Sequence, residues 1–109
     1  LGEGLELKVK KSSFETIDEK DYLVVVGSIK NITEDIKNVP LLRISLYNTE
    51  NEIVQTLDLP SKRNKLEPGR RSSFKAKIEA PSELARRAEV TFTDGKTKAK
   101  NEKEKSAPK

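Results

Sequence analysis

The chain has 109 residues, 33% hydrophobic and 37% charged, a length and balance that fit one domain with a modest core. It contains no His, Cys, Met or Trp, so disulfides, thiolate or imidazole metal sites and a Ser-His-Asp or Cys-His catalytic arrangement are excluded within it. No stretch approaches the ~20 consecutive apolar residues of a membrane span.

The formal net charge of +4 belongs to the C-terminal residues. Residues 95–109 contain six Lys and two Glu, whereas residues 1–94 contain sixteen basic and sixteen acidic side chains. We expect a folded β-sandwich domain over 1–94 and a disordered Lys/Glu-rich tail over 95–109, because the tail has nothing large to bury. The sequence does not start with Met, and we expect it to begin inside a longer protein.

Alternating apolar and polar residues predict the first two strands. The first strand covers residues 5–9 and continues past a kink at 10–13 to Phe14. A polar turn then leads into the long second strand over 22–32, with Gly27 in its middle. A glycine weakens a strand unless a bulge or a close backbone approach requires it, so one of the two is expected here.

The middle of the chain contains a loop and two strands. The loop covers 31–38, and we expect Ile36 to fold over the edge of the core. Strands are predicted at 39–47, which opens with a proline that a strand start tolerates, and at 53–59.

The last third contains the turn-forming and basic residues. A basic loop covers 60–65, and Pro68-Gly69 has the residue types of a type II turn. Strands are predicted at 72–78 and 88–93, joined by a connector over 81–87 with at most one helical turn.

Six or seven short strands without an amphipathic helix predict an all-β, immunoglobulin-like antiparallel β-sandwich. The expected core positions are Leu23, Val25, Ile29, Leu42, Ile44 and Leu46, with Phe14, Phe74 and Phe92 also inward. Tyr47 alternates with this set, so it should face outward or pack at a sheet edge.

Three short motifs occur in a recognisable order. They are G-x-I-x-N at 27–31, Val39-Pro40 leading into Ile-Ser-Leu-Tyr-Asn at 44–48, and L-x-P-G at 66–69 followed by Phe74. Together they resemble the FxLYD domains, with Ile and Asn where that signature has Phe and Asp. They also resemble a related bacterial family of unknown function that is often found C-terminal to a zinc ribbon and a transmembrane helix.

The resemblance covers roughly residues 5–93 and implies a sandwich in a bacterial, membrane-anchored protein, in the periplasm or otherwise outside the cytoplasm. It implies no catalytic residues. Any zinc ribbon or membrane anchor would lie in a segment upstream of this chain. A cytoplasmic location is the alternative.

Other chemistry finds little support in the residues. The carboxylates fall in polar turns or at strand ends, and no glycine-rich phosphate loop or calcium loop is present. Asn31-Ile32-Thr33 matches the glycosylation acceptor pattern, which is common by chance. We therefore expect no enzymatic activity, no cofactor and no metal.

Basic residues cluster in the loops and form the one candidate site. They are Lys62, Arg63, Lys65, Arg70, Arg71, Arg86 and Arg87. If the loops of one end converge, these residues would bind an anion such as a phospholipid head group, a nucleic acid or an acidic partner. The alternative is that they are ordinary solubilising charges at strand ends.

These observations lead to two functional hypotheses. The first is a non-enzymatic interaction or scaffolding domain whose partner is another protein, bound at a sheet edge or a loop end. The second is an anion- or nucleic-acid-binding module that uses the basic loops and the Lys-rich tail. Nucleic acid is the less favoured partner, because modules that stack bases expose aromatic side chains beside their basic residues.

Overall fold

The computed structural model describes residues 1–95, which form eight β-strands and no helix. The strands are β1 (Leu5–Ile17), β2 (Lys20–Asn31), β3 (Lys37–Asn38), β4 (Leu41–Tyr47), β5 (Ile53–Leu59), β6 (Lys65–Leu66), β7 (Arg71–Glu79) and β8 (Arg87–Thr93). The predicted tail, apart from Gly95, lies outside the described residues, and the domain boundary at 94 stays a prediction.

Two antiparallel three-stranded sheets and one short ladder make up the fold. The sheets have the strand orders β1-β2-β7 and β5-β4-β8, and β3 pairs with β6. The predicted all-β antiparallel sandwich is confirmed, while the immunoglobulin-like assignment stays a prediction. The count exceeds six or seven because the two-residue strands β3 and β6 form within segments predicted to be loops.

The two central strands supply the middle of the core. All six aliphatic side chains predicted to face each other from β2 and β4 are at most 2% exposed. They alternate with outward-facing residues because side chains on a strand have a period of two. Phe74 is also buried, and Phe92 packs against this core, as predicted.

The β1–β2 hairpin shows how the sequence determines local geometry. Ile17 pairs with Lys20 across a two-residue turn in which Asp18 and Glu19 both have positive φ, 51° and 68°. Two positive φ angles are the requirement of a type I′ turn, whose twist matches that of the flanking strands.

The kink predicted in the first strand is a β-bulge. The register shifts between Val9 and Lys11, opposite Gly27. A Cβ at Gly27 would collide with the carbonyl oxygen of Lys8 and lie 2.5 Å from Cζ of Phe74. The glycine is therefore required by a close approach of both backbone and side chain.

Two expectations about the periphery were wrong. Phe14 is 50% exposed, because it lies on an edge strand near the hairpin end and borders a surface groove with Tyr22 and Pro81. Ile36 is 63% exposed, because its loop turns outward and places the side chain beside the basic loop. The connector predicted over 81–87 contains a turn at 83–84 and no helix, within the expected limit of one helical turn.

Candidate anion-binding concavity

The segment between β5 and β7 is held by short ladder contacts. Lys37 pairs with Leu66 and Asn38 with Lys65. The amide of Val39 donates to the carbonyl of Asn64 over 2.8 Å. These bonds fix a long basic loop against the start of the second sheet.

A type II turn closes this segment, as predicted from Pro68-Gly69. The amide of Arg70 donates to the carbonyl of Glu67 over 3.0 Å, and Gly69 has φ of 75°. That positive φ is what position i+2 of a type II turn requires. The turn directs Arg70 away from the core and into solvent, where its side chain is exposed.

Asn31 joins the turn and the loops, and the sequence did not reveal this role. Its side chain is 0% exposed, and Nδ2 donates to the carbonyls of Leu66 and Asp35 over 2.9 and 2.7 Å. Oδ1 accepts from the amide and the hydroxyl of Thr33 over 2.9 and 2.7 Å. Both donors and both acceptor positions of the amide are thereby satisfied.

The backbone of Asn31 adds two more bonds to the turn. Its amide donates to the carbonyl of Arg70, and its carbonyl accepts from the amide of Gly69, both over 2.9 Å. Because the residue is fully buried, the Asn31-Ile32-Thr33 pattern is inaccessible as a glycosylation acceptor in the folded domain. The available signal was its inward register two residues after Ile29, where a polar side chain needs partners.

The loop and the turn surround an open concavity of about 770 Å³. We call it the basic concavity, and its charged lining residues are Lys62, Arg63, Lys65, Arg70, Arg71 and Glu67. Glu67 is the one carboxylate in the lining of the described chain, and its Oε1 lies 3.5 Å from Nε of Arg70. All five basic side chains are exposed, so positive charge is in excess and accessible.

The other two basic residues predicted for the site lie elsewhere. Arg86 borders the groove beside Phe14, and its NH1 donates to the carbonyls of Glu83 and Ala85 over 2.8 Å. This groove is at the opposite end of β7 from Arg71, since Arg71 pairs with Lys30 and the strand ends beside Tyr22.

Arg87 packs on the outer face of the second sheet. Its guanidinium lies 4.2 Å from the ring centroid of Tyr47, with NH1 2.6 Å from Oε2 of Glu89. The half-buried Tyr47 therefore faces away from the core. This is the first of the two positions expected for it, outward-facing or at a sheet edge. The structure thus brings five of the seven predicted residues together and separates two.

The described residues contain little else that points to chemistry. Within residues 1–95 there is no group of three or more Asp or Glu that could hold a metal ion. No helix in that part of the chain is long and apolar enough to cross a membrane.

The strongest ion pair lies outside the concavity, between β4 and β5. Arg43 and Asp58 meet through two hydrogen bonds of 2.7 and 2.9 Å. The hydrogen bond from Arg43 holds the pKa of the Asp58 carboxyl below its usual range. This pair stabilises the second sheet and does not contribute to a binding site.

Comparison with known proteins adds evidence about the fold. No family model matches the chain, and no curated protein matches it. One similar solved structure is the crystal structure of a DUF1425 family member from Shewanella sp. pv-4, a family of unknown function. It is 14% identical with a TM-score of 0.53, covering 82% of this chain and 76% of that one. Such a likeness supports the sandwich fold alone, and the FxLYD resemblance stays a prediction.

Proposed function

We propose that this domain is a non-enzymatic interaction module whose basic concavity binds an acidic segment of a partner protein. The observation that supports this proposal is the grouping of five exposed cations around one open hollow with a single carboxylate. Such an arrangement attracts negatively charged partners and raises their association rate.

The spread of the charges favours a peptide with several carboxylates. All five cations are exposed and come from a loop and a turn, so they match charges distributed along a chain better than one buried phosphate. The lining contains no aromatic side chain. Base stacking on aromatic rings is the usual means of binding single-stranded nucleic acid, so we favour protein as the partner.

The setting we propose is a bacterial, membrane-anchored protein with this domain in the periplasm or otherwise outside the cytoplasm. The motif order at 27–31, 44–48 and 66–69 supports it through the resemblance described above. The sequence of the whole gene product tests it. A hydrophobic span of ~20 residues preceding Leu1 supports anchoring, and a cytosolic enzyme domain in that position would contradict it.

The binding proposal is tested with the full chain and a fluorescent oligo-glutamate peptide at low salt. The informative variant is Arg63→Gln with Lys65→Gln, which removes two charges from the concavity. We expect its affinity for the peptide to fall about 2- to 30-fold, at the ~0.2–1 kcal/mol per exposed charge pair. The matched control is Lys8→Gln with Lys75→Gln, which removes the same charge from a different surface.

The control should change peptide affinity by less than about twofold, because separated exposed charges are screened by salt. Equal losses in the two double variants would mean that net charge alone attracts the peptide, and the concavity would not be the site. A single-stranded DNA of equal charge serves as the competing ligand. If it binds more tightly than the peptide and loses affinity in the concavity variant, the nucleic-acid alternative is the correct one.

A further inference from the structure

The outer face of the β1-β2-β7 sheet carries a group of lysines with no acidic side chain among them. Cross-strand partners lie on the same face of a sheet, so the registers of β1 and β7 with β2 define rows across it. The three central outward-facing rows are Lys8–Ser28–Ser73, Lys11–Val26–Lys75 and Ser13–Val24–Lys77. We call this surface the lysine face.

These rows contain four lysines and no carboxylate. Within residues 1–95, Lys8, Lys75 and Lys77 form no ion pair, and the ammonium of Lys11 lies 4.0 Å from Oε2 of Glu15 in the next row. All four lysines are exposed. The ammonium of Lys77 lies 4.6 Å from the ring centroid of Tyr22. Lys8 and Lys75 are therefore the two lysines of the face with neither an ion pair nor a ring contact among residues 1–95.

The lysines stand in two columns on either side of an apolar middle strand. The columns are two strand spacings apart, ~10 Å, and successive rows are ~7 Å apart along a strand. Between them, Val24 is only 5% and Ser28 only 2% exposed. Aliphatic lysine stems can cover such apolar surface while their charged ends remain in water.

The lysine face continues into the basic concavity around the edge of β7. A second hollow of about 420 Å³ is lined by Val26 and Lys75 on the sheet and by Pro60 and Lys62 on the basic loop. Because Lys62 also lines the basic concavity, the two cationic surfaces adjoin at this residue and are otherwise formed by different basic side chains.

The opposite end of the same sheet is acidic. Asp18 and Glu19 form the hairpin turn, Asp21 follows it, and Glu15 and Glu79 flank Tyr22 in one outward row. The domain therefore has separated positive and negative regions. Such a charge distribution orients a protein as it approaches an anionic surface.

We propose that the lysine face is a docking surface for a bilayer containing anionic lipids. The proposal goes beyond the proposed function, since it concerns a different surface and a different ligand. An open sheet face with ammonium groups on flexible stems suits a plane of negative head groups, to which each nearby Lys or Arg adds roughly fivefold in binding. Base-specific recognition of duplex DNA uses planar Arg forks, and binding of single strands uses aromatic rings; the central rows contain neither, and a duplex bound through its phosphates alone is an outcome of the test.

The test measures partitioning of the full chain onto phosphatidylcholine vesicles with and without about 30% phosphatidylglycerol, at about 50 and 300 mM salt. The informative variant is Lys8→Gln with Lys75→Gln, and the matched control is Arg63→Gln with Lys65→Gln. We expect the wild type to bind only the anionic vesicles at low salt. The lysine-face variant should lose about 5- to 25-fold, and the control less than about threefold.

Three results would overturn the proposal. The first is equal binding to neutral and anionic vesicles, or no binding to either. The second is a loss in the control as large as that in the lysine-face variant, which would assign binding to net charge, to the C-terminal lysines or to the concavity. The third is tighter binding to a DNA duplex than to the vesicles, lost in the lysine-face variant, which would make nucleic acid the ligand. Because the peptide and vesicle assays use the same two variants in opposite roles, each proposal fails independently of the other.

Discussion

Replacing Asn31 by aspartate tests the most connected side chain of the domain. The substitution Asn31→Asp preserves size and shape but removes the two N–H donors that bind the carbonyls of Leu66 and Asp35. It retains an oxygen that accepts from Thr33. The change is therefore confined to hydrogen bonding and charge.

The magnitude follows from burial at this position. A buried acceptor that loses its donor costs about 1–3 kcal/mol, and this applies to the carbonyl of Leu66. The carbonyl of Asp35 is part-buried and keeps a bond from the Thr33 hydroxyl over 3.1 Å. A carboxylate also enters a site that is 0% exposed, where one of its oxygens faces the two carbonyl oxygens that Nδ2 of Asn31 binds. We expect the free energy of unfolding at pH 7 to fall by about 3–6 kcal/mol, a large share of the 5–15 kcal/mol typical of a domain.

Equilibrium urea unfolding measures this change, and Asn48→Asp supplies a matched control. The Asn48 side-chain oxygen accepts from the amides of Glu50 and Glu52 over 2.8 and 2.9 Å in an exposed turn. Aspartate retains both of these bonds and loses only the bond from Nδ2 to the Glu52 carboxylate. The control should therefore cost less than about 1 kcal/mol, since its charge stays in contact with water.

The pH dependence of the free energy of unfolding gives a second test of the same variant. Burial raises the pKa of a carboxyl, because the charged form loses solvation. The destabilisation of Asn31→Asp is therefore greatest above that raised pKa and decreases as pH falls through it. A variant within about 1 kcal/mol of the wild type at pH 7, or a control equally destabilised, would refute the assignment of Asn31 as a buried, fully bonded side chain.

Two further predictions concern the sheets themselves. Gly27→Ala should lower the free energy of unfolding by about 2–3 kcal/mol in urea, because the new Cβ meets the Lys8 carbonyl and the Phe74 ring; a stabilised variant would contradict this close approach. Asp58→Asn should cost about 1–2 kcal/mol at pH 7, because it removes the negative charge and one of the two oxygens that accept from Arg43. Since the pKa of Asp58 is lowered in the folded state, that stabilisation is complete above the unfolded pKa and is lost as pH falls through the folded value. The difference between wild type and Asp58→Asn should then shrink in acid, and a constant difference in unfolding experiments from neutral pH to about pH 2 would refute it.

Periodicity identified the core of the central strands and failed at the edges. Leu23 and Leu42 were predicted correctly because an alternating pattern determines which side chains share a face. Phe14 shares the inward face with Leu23, yet it is half exposed. The pattern indicates a face and does not indicate how far the opposing sheet extends over it.

The candidate sites differ in how much the sequence could reveal. The cations at 62–71 come together because one loop and one turn contain them. Arg86 follows β7 in the chain and therefore lies at the opposite end of that strand. The lysine face depends on two registers, which join Lys8 and Lys75 through the middle strand. Lys75 and Lys77 alternate in the sequence, but that alternation does not show that β1 and β7 both pair with β2, one on each side.

The strand order also determines when the chain can fold. Both central strands find their second neighbour late in the sequence, since Tyr22 pairs with Glu79 and Tyr47 with Arg87. Hairpins form in about 1–10 μs, whereas sheets that depend on such distant pairings form in milliseconds to seconds. During synthesis, β2 and β4 each keep an unpaired edge until β7 and β8 have emerged, and such edges promote aggregation. Synthesis interrupted before β7 would leave both hairpins without their partners and expose the aliphatic side chains of the future core to other chains.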